Sequence, residues 1–388
     1  MTQAPREEVT SVKLLDVPRG NEPIRDEILA AIAKVVDSGS FLFGEDCKQL
    51  EETVAKISGA KFGIGCASGS DALLLSLMAL GVGEGDEVIV PSFTFFATAS
   101  AVTRLGAKPV FVDIEADTFN IDIDCVEAAI TNHTKAIIPV HLFGQPVDMP
   151  RLVALTKKHS INIVEDAAQS IGASIGGKPI GGFGDLGCIS FYPTKNLGGF
   201  GDGGMIVTND ESLRDDLRML ANHGMRPRYY HHVVGINSRL DSMQAAGLNV
   251  KIRHLDEMTS RRQANASLYS ELFADRGLGW WIEDPRSAVG DGHVWNQYTV
   301  RVKHGQRDAL AQHLQQNGMG CAIYYPIALH QQQCFLDLGI GEIELPETER
   351  ATQEVLSLPI FPELQPQEIE AVVDSMQNFF VSQSRMAA

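Results

Sequence analysis

The sequence predicts an α/β protein: a large domain built on a mixed, mostly parallel sheet of seven strands, then a smaller α+β C-terminal lobe. Three observations carry this. The chain has 388 residues, more than one small hydrophobic core supports. Between Phe62 and Val207, short apolar runs alternate with stretches of helical apolar spacing. Within most of those runs the apolar residues stand at consecutive positions, which is how strands covered on both faces read.

In chain order the runs are FGIGCA (62–67), DEVIVP (86–91), AKPVFVD (107–113), KAIIPVH (135–141), INIVED (161–166), LGCISFY (186–192) and GGMIVTN (203–209). The intervening segments DALLLSLMALG (71–81), FATASAVTRLG (96–106) and PRLVALTKKHS (150–160) predict helices that end near Gly or a basic residue. After Asp210 the pattern changes. Residues 211–224 read as an amphipathic helix, 225–240 as an irregular loop, and 241–272 as one long, kinkable helix bridging to a second lobe. In that lobe NQYTVRV (296–302) and CAIYYP (321–326) predict strands, with helices near Arg307–Gln316 and Pro366–Phe379. The domain expectation is an N-terminal arm over 1–21, a large domain over 22–255 and a small domain over 256–388.

Composition narrows the function. A net charge of −17 opposes nonspecific binding to nucleic acid or anionic membranes. The first residues, MTQAPREEVTS, carry no apolar signal-peptide core, and the longest apolar run, ALLLSLMALGV (72–82), is too short to span a bilayer. A cytoplasmic location is expected. Cys47, Cys66, Cys125, Cys188, Cys321 and Cys334 show no CxxC spacing and are expected to be free thiols; no metal site is predicted.

Ligands of open α/β sheets bind at the carboxyl ends of the strands, so the residues just past each strand form a shortlist. After FGIGCA come Ser68, Gly69, Ser70 and Asp71 at a helix start, an anion site or simply a helix capped by Ser70 or Asp71. After INIV come Glu165 and Asp166, of which alternation lets one point into a given site. A buried carboxylate there needs a partner, or it caps the next helix. Gln169 offers an amide nearby. SFYPTKNLGGFGDGG (190–204) places Ser190, Thr194 and Lys195 beside glycines that leave room for a planar ligand. Lys195 reads as a nucleophile with lowered pKa, a phosphate ligand, or a loop lysine. The glycines precede a strand instead of coming after one, so a dinucleotide site is poorly supported. One anion site, one acid, one amide and one amine match pyridoxal 5'-phosphate.

At ASGSDALLLSLMALG, PSFTFFATASA, KPVFVDI, VHLFGQPVDM, VEDAAQSIGA, SFYPTKNLGGFGDGGMIVTND and GINSRLDSMQAA, the chain resembles the DegT/DnrJ/EryC1/StrS family of nucleotide-sugar aminotransferases. The resemblance runs from about residue 38 to 332 and implies PLP-dependent fold type I, the aspartate aminotransferase-like architecture. By that resemblance Lys195 would bind the coenzyme covalently and later shuttle a proton. Asp166 would pair with the ring nitrogen, Gln169 would bond the phenolic oxygen, and Phe95 would stack on the ring, its plainer reading being a core phenylalanine. Ser190, Gly69, Ser70 and the Asp71 backbone would hold the phosphate. Asn237 would reach the neighbouring subunit's phosphate, which implies a homodimer with shared active sites. Tyr325 and His330 would meet the sugar or the donor. Arg226, Arg228, His231 and Arg239 supply local positive charge for a nucleotide diphosphate or a donor carboxylate.

The implied reaction moves an amino group from L-glutamate to a nucleotide-linked keto sugar, for polysaccharide, lipopolysaccharide or antibiotic glycoside biosynthesis. Alternatives are a PLP- or PMP-dependent sugar dehydratase, a keto-inositol aminotransferase, and an inactive regulatory scaffold. Dehydratases resembling the family carry histidine at the lysine position, so Lys195 argues against the first.

Overall fold

The computed structural model describes residues 9–386. Its main sheet has seven strands in the order Phe62–Cys66, Gly204–Thr208, Leu186–Ser190, Asn162–Asp166, Thr134–Ile137, Glu87–Pro91 and Lys108–Val112. Neighbours are parallel except at Gly204–Thr208, which runs antiparallel to both flanking strands. The seven apolar runs of the sequence are these seven strands. Both faces are covered. One carries Leu50, Val54, Leu152, Leu155 and Leu248, the other Leu73, Leu77, Val102 and Leu217. Helix Gly69–Ala79 buries every residue from Ala72 to Leu77, so it is wrapped by protein on all sides and its N-terminus is held in place.

Residues 242–275 form the expected kinked connection: helix Ser242–Lys251, a single 3₁₀ turn Ile252–His254, and helix Leu255–Asp275. Beyond it a third hydrophobic cluster includes Tyr269, Tyr298, Val300, Leu314, Leu356, Val372 and Phe380. Its antiparallel sheet joins Ile282–Glu283, Tyr298–Val302 and Val355–Leu358. CAIYYP is not a strand. Only Ala322 bridges, to Ser357, and the chain then turns toward the large sheet. The strand Val355–Leu358 has no signal in the sequence because it continues directly from helix Pro346–Glu354, with no turn residue between. Residues 1–8 of the expected arm lie outside the described residues. From Val9 the segment packs on the smaller lobe, where Val12 N–H donates to Gly318 O (2.9 Å) and Arg19 pairs with Glu368 (2.9 Å).

Side chains fasten the lobes around the strand ends. Asp113 accepts the first-turn N–H groups of Glu347 (3.0 Å) and Thr348 (2.8 Å), an arrangement that suits the positive end of helix Pro346–Glu354. Arg301, 2% exposed, donates to Ala116 O (2.9 Å) and lies 4.7 Å over the Phe119 ring.

Candidate active site

The site is built from what each strand end exposes. After Phe62–Cys66 the chain turns at Ser68, whose hydroxyl accepts Asp71 N–H at 3.1 Å. Ser68 is therefore the helix cap, not Ser70 or Asp71, and the Ser70 hydroxyl is free for another partner. The first-turn amides of Gly69 and Ser70 have no intrahelical acceptor. A Cβ on Gly69 would lie 2.7 Å from Ser190 Cβ, so glycine is what lets Ser190 approach this helix end.

At the end of Asn162–Asp166 the two carboxylates diverge. Glu165, fully buried, accepts N–H groups from Gly181 (2.9 Å), Phe183 (2.7 Å) and Gly184 (2.7 Å) and faces His141 Nε2 at 3.2 Å. It organises the 181–184 loop and has no capacity left for a ligand. His141 Nδ1 accepts Val147 N–H (3.1 Å), which puts the ring proton on Nε2, facing Glu165. Asp166 points the other way. Its Oδ2 accepts Thr98 Oγ1–H at 2.8 Å and its Oδ1 accepts Ala168 N–H at 3.2 Å. Desolvation pushes its pKa up, against these hydrogen bonds and the nearby Lys195 ammonium.

Lys195 lies in the turn after Leu186–Ser190. Desolvation lowers its pKa to about 8, opposed by the Asp166 carboxylate. Its Nζ has no hydrogen-bond or ion-pair partner among the described residues. The turn itself is tightly held. Lys195 N–H donates to Tyr192 O (2.9 Å) and Asn196 Nδ2 to Val294 O (2.9 Å). Asn296 Nδ2 reaches Asn196 Oδ1 (2.8 Å), and Gln244 Oε1 accepts Phe200 N–H (2.8 Å). A second amine, Lys251, is 7% exposed, donates to Gly198 O at 2.5 Å, and is also lowered to about 8 by desolvation. Lys195, Lys251, Arg262 and Glu363 share the walls of one open cleft.

Aromatic rings lie on the side of Asp166 and Gln169. Phe93 is buried, whereas Phe95 is 58% exposed with its ring centroid 6.5 Å from that of Tyr325. Phe95 is therefore not a core phenylalanine. Gln169 Oε1 accepts Phe143 N–H (2.7 Å), which leaves Nε2 as the donor end, 3.5 Å from Tyr325 Oη. Burial pushes the Tyr325 phenol up, so it stays protonated. His330 departs from the expectation of a substrate contact. It is 1% exposed, with Nδ1 2.7 Å from Ser92 Oγ and Nε2 3.4 Å from Glu349. Its Nδ1 joins the small lobe to the end of strand Glu87–Pro91, and its Nε2 makes no hydrogen bond among the described residues.

The basic residues lie on an excursion whose base is closed by a bridge between Asn222 and Asn237. Arg239 donates to Asn222 Oδ1 (3.2 Å), His231 Nδ1 lies 2.9 Å from His223 O, and Arg226 faces Asp215 at 3.5 Å. The Arg228 guanidinium lies 4.9 Å over Tyr229. Asn237 is exposed, and Tyr229, Tyr230 and Val234 leave the excursion apolar, Val234 being 92% exposed.

Whether these residues suit pyridoxal phosphate is answered by the donor set: a lysine amine with no partner among the described residues beside a buried carboxylate, an amide whose Nε2 gives one N–H to Tyr325 and keeps a second, and a helix end that glycine opens to a serine. The set fits. Fold and site together define a fold-type I, PLP-dependent aminotransferase.

Comparison with known proteins carries this further. The model of the DegT/DnrJ/EryC1/StrS aminotransferase family matches residues 22–377, and the chain belongs to that family. It is 47% identical over 363 residues to the UDP-N-acetyl-3-dehydro-alpha-D-glucosamine 3-aminotransferase of Acidithiobacillus ferrooxidans, covering 94% of this chain and 96% of that one. It is 48% identical over 370 residues to a "pleiotropic regulatory protein" of Geobacillus stearothermophilus, covering 95% and 99%. Among solved structures, S. venezuelae DesV in complex with a ketimine intermediate superposes with a TM-score of 0.91 at 42% identity, covering 96% and 99%.

Sequence reasoning missed Thr98, His141, Asn296 and Lys251. Thr98 had a signal: Thr94 and Thr98 are i,i+4 hydroxyls directly after a predicted strand. The other three had none, because their partners are backbone atoms or residues remote in the chain.

Proposed function

We propose that the protein transfers the amino group of L-glutamate to a nucleotide-linked 3-keto sugar, in two half-reactions at one site. The observation that carries this is the Lys195 amine and the Asp166 carboxylate within electrostatic reach at adjacent strand ends. When bound, pyridoxal phosphate supplies an electrophilic carbonyl and an electron-withdrawing ring, which allow an amino group to change carbon skeletons.

The chain's own residues do the rest. Lys195 Nζ is the point of covalent attachment and, once released, the base that moves a proton on and off the reacting carbon. Its lowered pKa keeps a useful fraction unprotonated near neutrality. Asp166 would hold a proton at the ring nitrogen, and Gln169 Nε2 would donate to the phenolic oxygen. Ser190 Oγ, Ser70 Oγ and the Gly69, Ser70 and Asp71 amides receive the phosphate at the helix terminus. Phe95 covers the ring. Tyr325 presents a neutral hydroxyl to the substrate side, and His330 positions that wall without touching substrate. Arg226, Arg228, His231 and Arg239 give the acidic molecule a local anion-binding rim for diphosphate or donor carboxylate.

Asn237 and the exposed Tyr229, Tyr230 and Val234 fit a homodimer in which each subunit completes the other's site. Division at residue 255 suits the separate hydrophobic cluster beyond it. Among the described residues no helix is long and apolar enough to cross a membrane, in keeping with a cytoplasmic enzyme. The similarity to the Acidithiobacillus enzyme supports amination at C3 of a UDP-linked sugar.

A panel of 3-keto and 4-keto nucleotide sugars, with glutamate consumption as readout, tests this. Turnover is expected with a 3-keto substrate. A deoxy sugar without nitrogen transfer would point to a dehydratase, and no turnover with any member to a regulatory scaffold.

A further inference from the structure

Asp166 is held by more than its strand. Its Oδ2 receives the Thr98 hydroxyl at 2.8 Å, and both residues are buried, Thr98 completely. Thr94 Oγ1 lies 3.3 Å from Thr98 Oγ1 and is 3% exposed. Because the Thr98 proton points at the carboxylate, its lone pair is what Thr94 can meet, so the order of donation is Thr94 to Thr98 to Asp166. Such a chain polarises each member and makes the last hydroxyl a better donor. Oδ1 meanwhile takes Ala168 N–H at 3.2 Å. Each carboxylate oxygen thus has one donor from the protein and a lone pair to spare.

The other groups that favour the charged carboxylate, the Ala168 N–H, the Lys195 ammonium and His141, each do so less than Thr98. Lys195 approaches from the catalytic turn and the Tyr325 phenol from the small lobe, the latter neutral. On the neighbouring strands, Cys188 is a buried thiol and His141 is already facing Glu165. Burial opposes ionisation of Asp166, and the Thr98 hydrogen bond is the strongest influence against it.

Resting on the reading of the site as a pyridoxal phosphate site, we propose that Thr98 is a positioning residue: through its hydrogen bond it makes the Asp166 carboxylate a weaker base, so that the shared proton resides on the ring nitrogen. Losing that donor makes the carboxylate more basic. The proton shifts toward Asp166, the ring loses positive charge, and its power to withdraw electrons falls, while ground-state binding of substrate is untouched. Thr94 acts one step further back.

The test loads the apoprotein with pyridoxal phosphate labelled with ¹⁵N in the ring and reads the nitrogen chemical shift in wild type, Thr98→Val, Thr98→Ser and Thr94→Val. Thr98→Val keeps the side chain's shape and removes the hydroxyl. We expect a pyridinium shift in wild type and in Thr98→Ser, a shift displaced toward neutral pyridine in Thr98→Val, and a smaller displacement in Thr94→Val. With glutamate, kcat of Thr98→Val should fall roughly tenfold, the loss of a hydrogen bond to a charged group, with KM within about twofold of wild type. An unchanged nitrogen shift in a folded Thr98→Val holoprotein overturns the proposal. If that variant does not fold, an unchanged shift in Thr94→Val does the same. Neutral pyridine in the wild type, or no coenzyme binding, instead refutes the reading of Asp166 or of the site.

Discussion

Lys195 and Lys251 are two desolvated lysines with the same lowered pKa of about 8 on one cleft, and their partners separate them. Lys251 spends its ammonium on the Gly198 carbonyl and steadies the turn, whereas Lys195 has no such bond. The reactive amine fraction at Lys195 grows as pH rises through about 8, so labelling of the apoprotein by an amine-specific reagent should rise with that midpoint. A midpoint above about 10, the ordinary range of a lysine in water, would mean that Lys195 is solvated. Lys195→Ala should abolish turnover and the visible absorption of the bound coenzyme. Residue-scale chemistry was the most legible part of the sequence, because lysine, acid, amide and serine each stand just past a strand. Strand alternation alone left open which of Glu165 and Asp166 faces the site, and only the family resemblance pointed to Asp166. The 181–184 amides decide that by claiming Glu165, and they return to it from a loop more than a dozen residues away in the chain.

At the scale of elements, the helix Gly69–Ala79 and the loop 181–184 set the precision of the site. Ser68→Ala removes the cap and should cost about 1 kcal/mol in a denaturation experiment. Gly69→Ala should leave the fold intact but force Ser190 away, weakening pyridoxal phosphate binding by roughly 5- to 100-fold, the scale of one or two lost charged hydrogen bonds. Glu165→Gln keeps the shape but turns one acceptor oxygen into an NH₂ donor, which strands either the Gly181 amide and His141 or the Phe183 and Gly184 amides, so a loss of about 1–3 kcal/mol is expected. Strands of the large sheet were legible because burial on both faces leaves unbroken apolar runs. The small lobe was harder. CAIYYP has strand composition, but its residues from Ile323 to Tyr325 pack at the junction between lobes instead of pairing in a sheet. His330 shows the same limit, since a histidine in a matching motif is buried with its Nδ1 bonded to Ser92 Oγ, a contact remote in the chain.

For the whole molecule, the two lobes are fastened by Asp113, Arg301, His330 and Asn196, and the excursion around Tyr229 and Val234 leaves large apolar side chains exposed. The proposed shared-site dimer would cover it and makes a distinctive prediction. Lys195→Ala and Asn237→Asp are each expected to be nearly inactive, yet subunits exchanged between them should regain about a quarter of wild-type turnover, because half of the dimers then hold one intact site. No recovery after demonstrated exchange would show that Asn237 serves its own subunit or none. The most direct measurement is reduction of the coenzyme-loaded protein with borohydride, then proteolysis and mass mapping. A phosphopyridoxyl group on Lys195 alone is predicted; the group on Lys251 or elsewhere, or no adduct at all, would contradict the account.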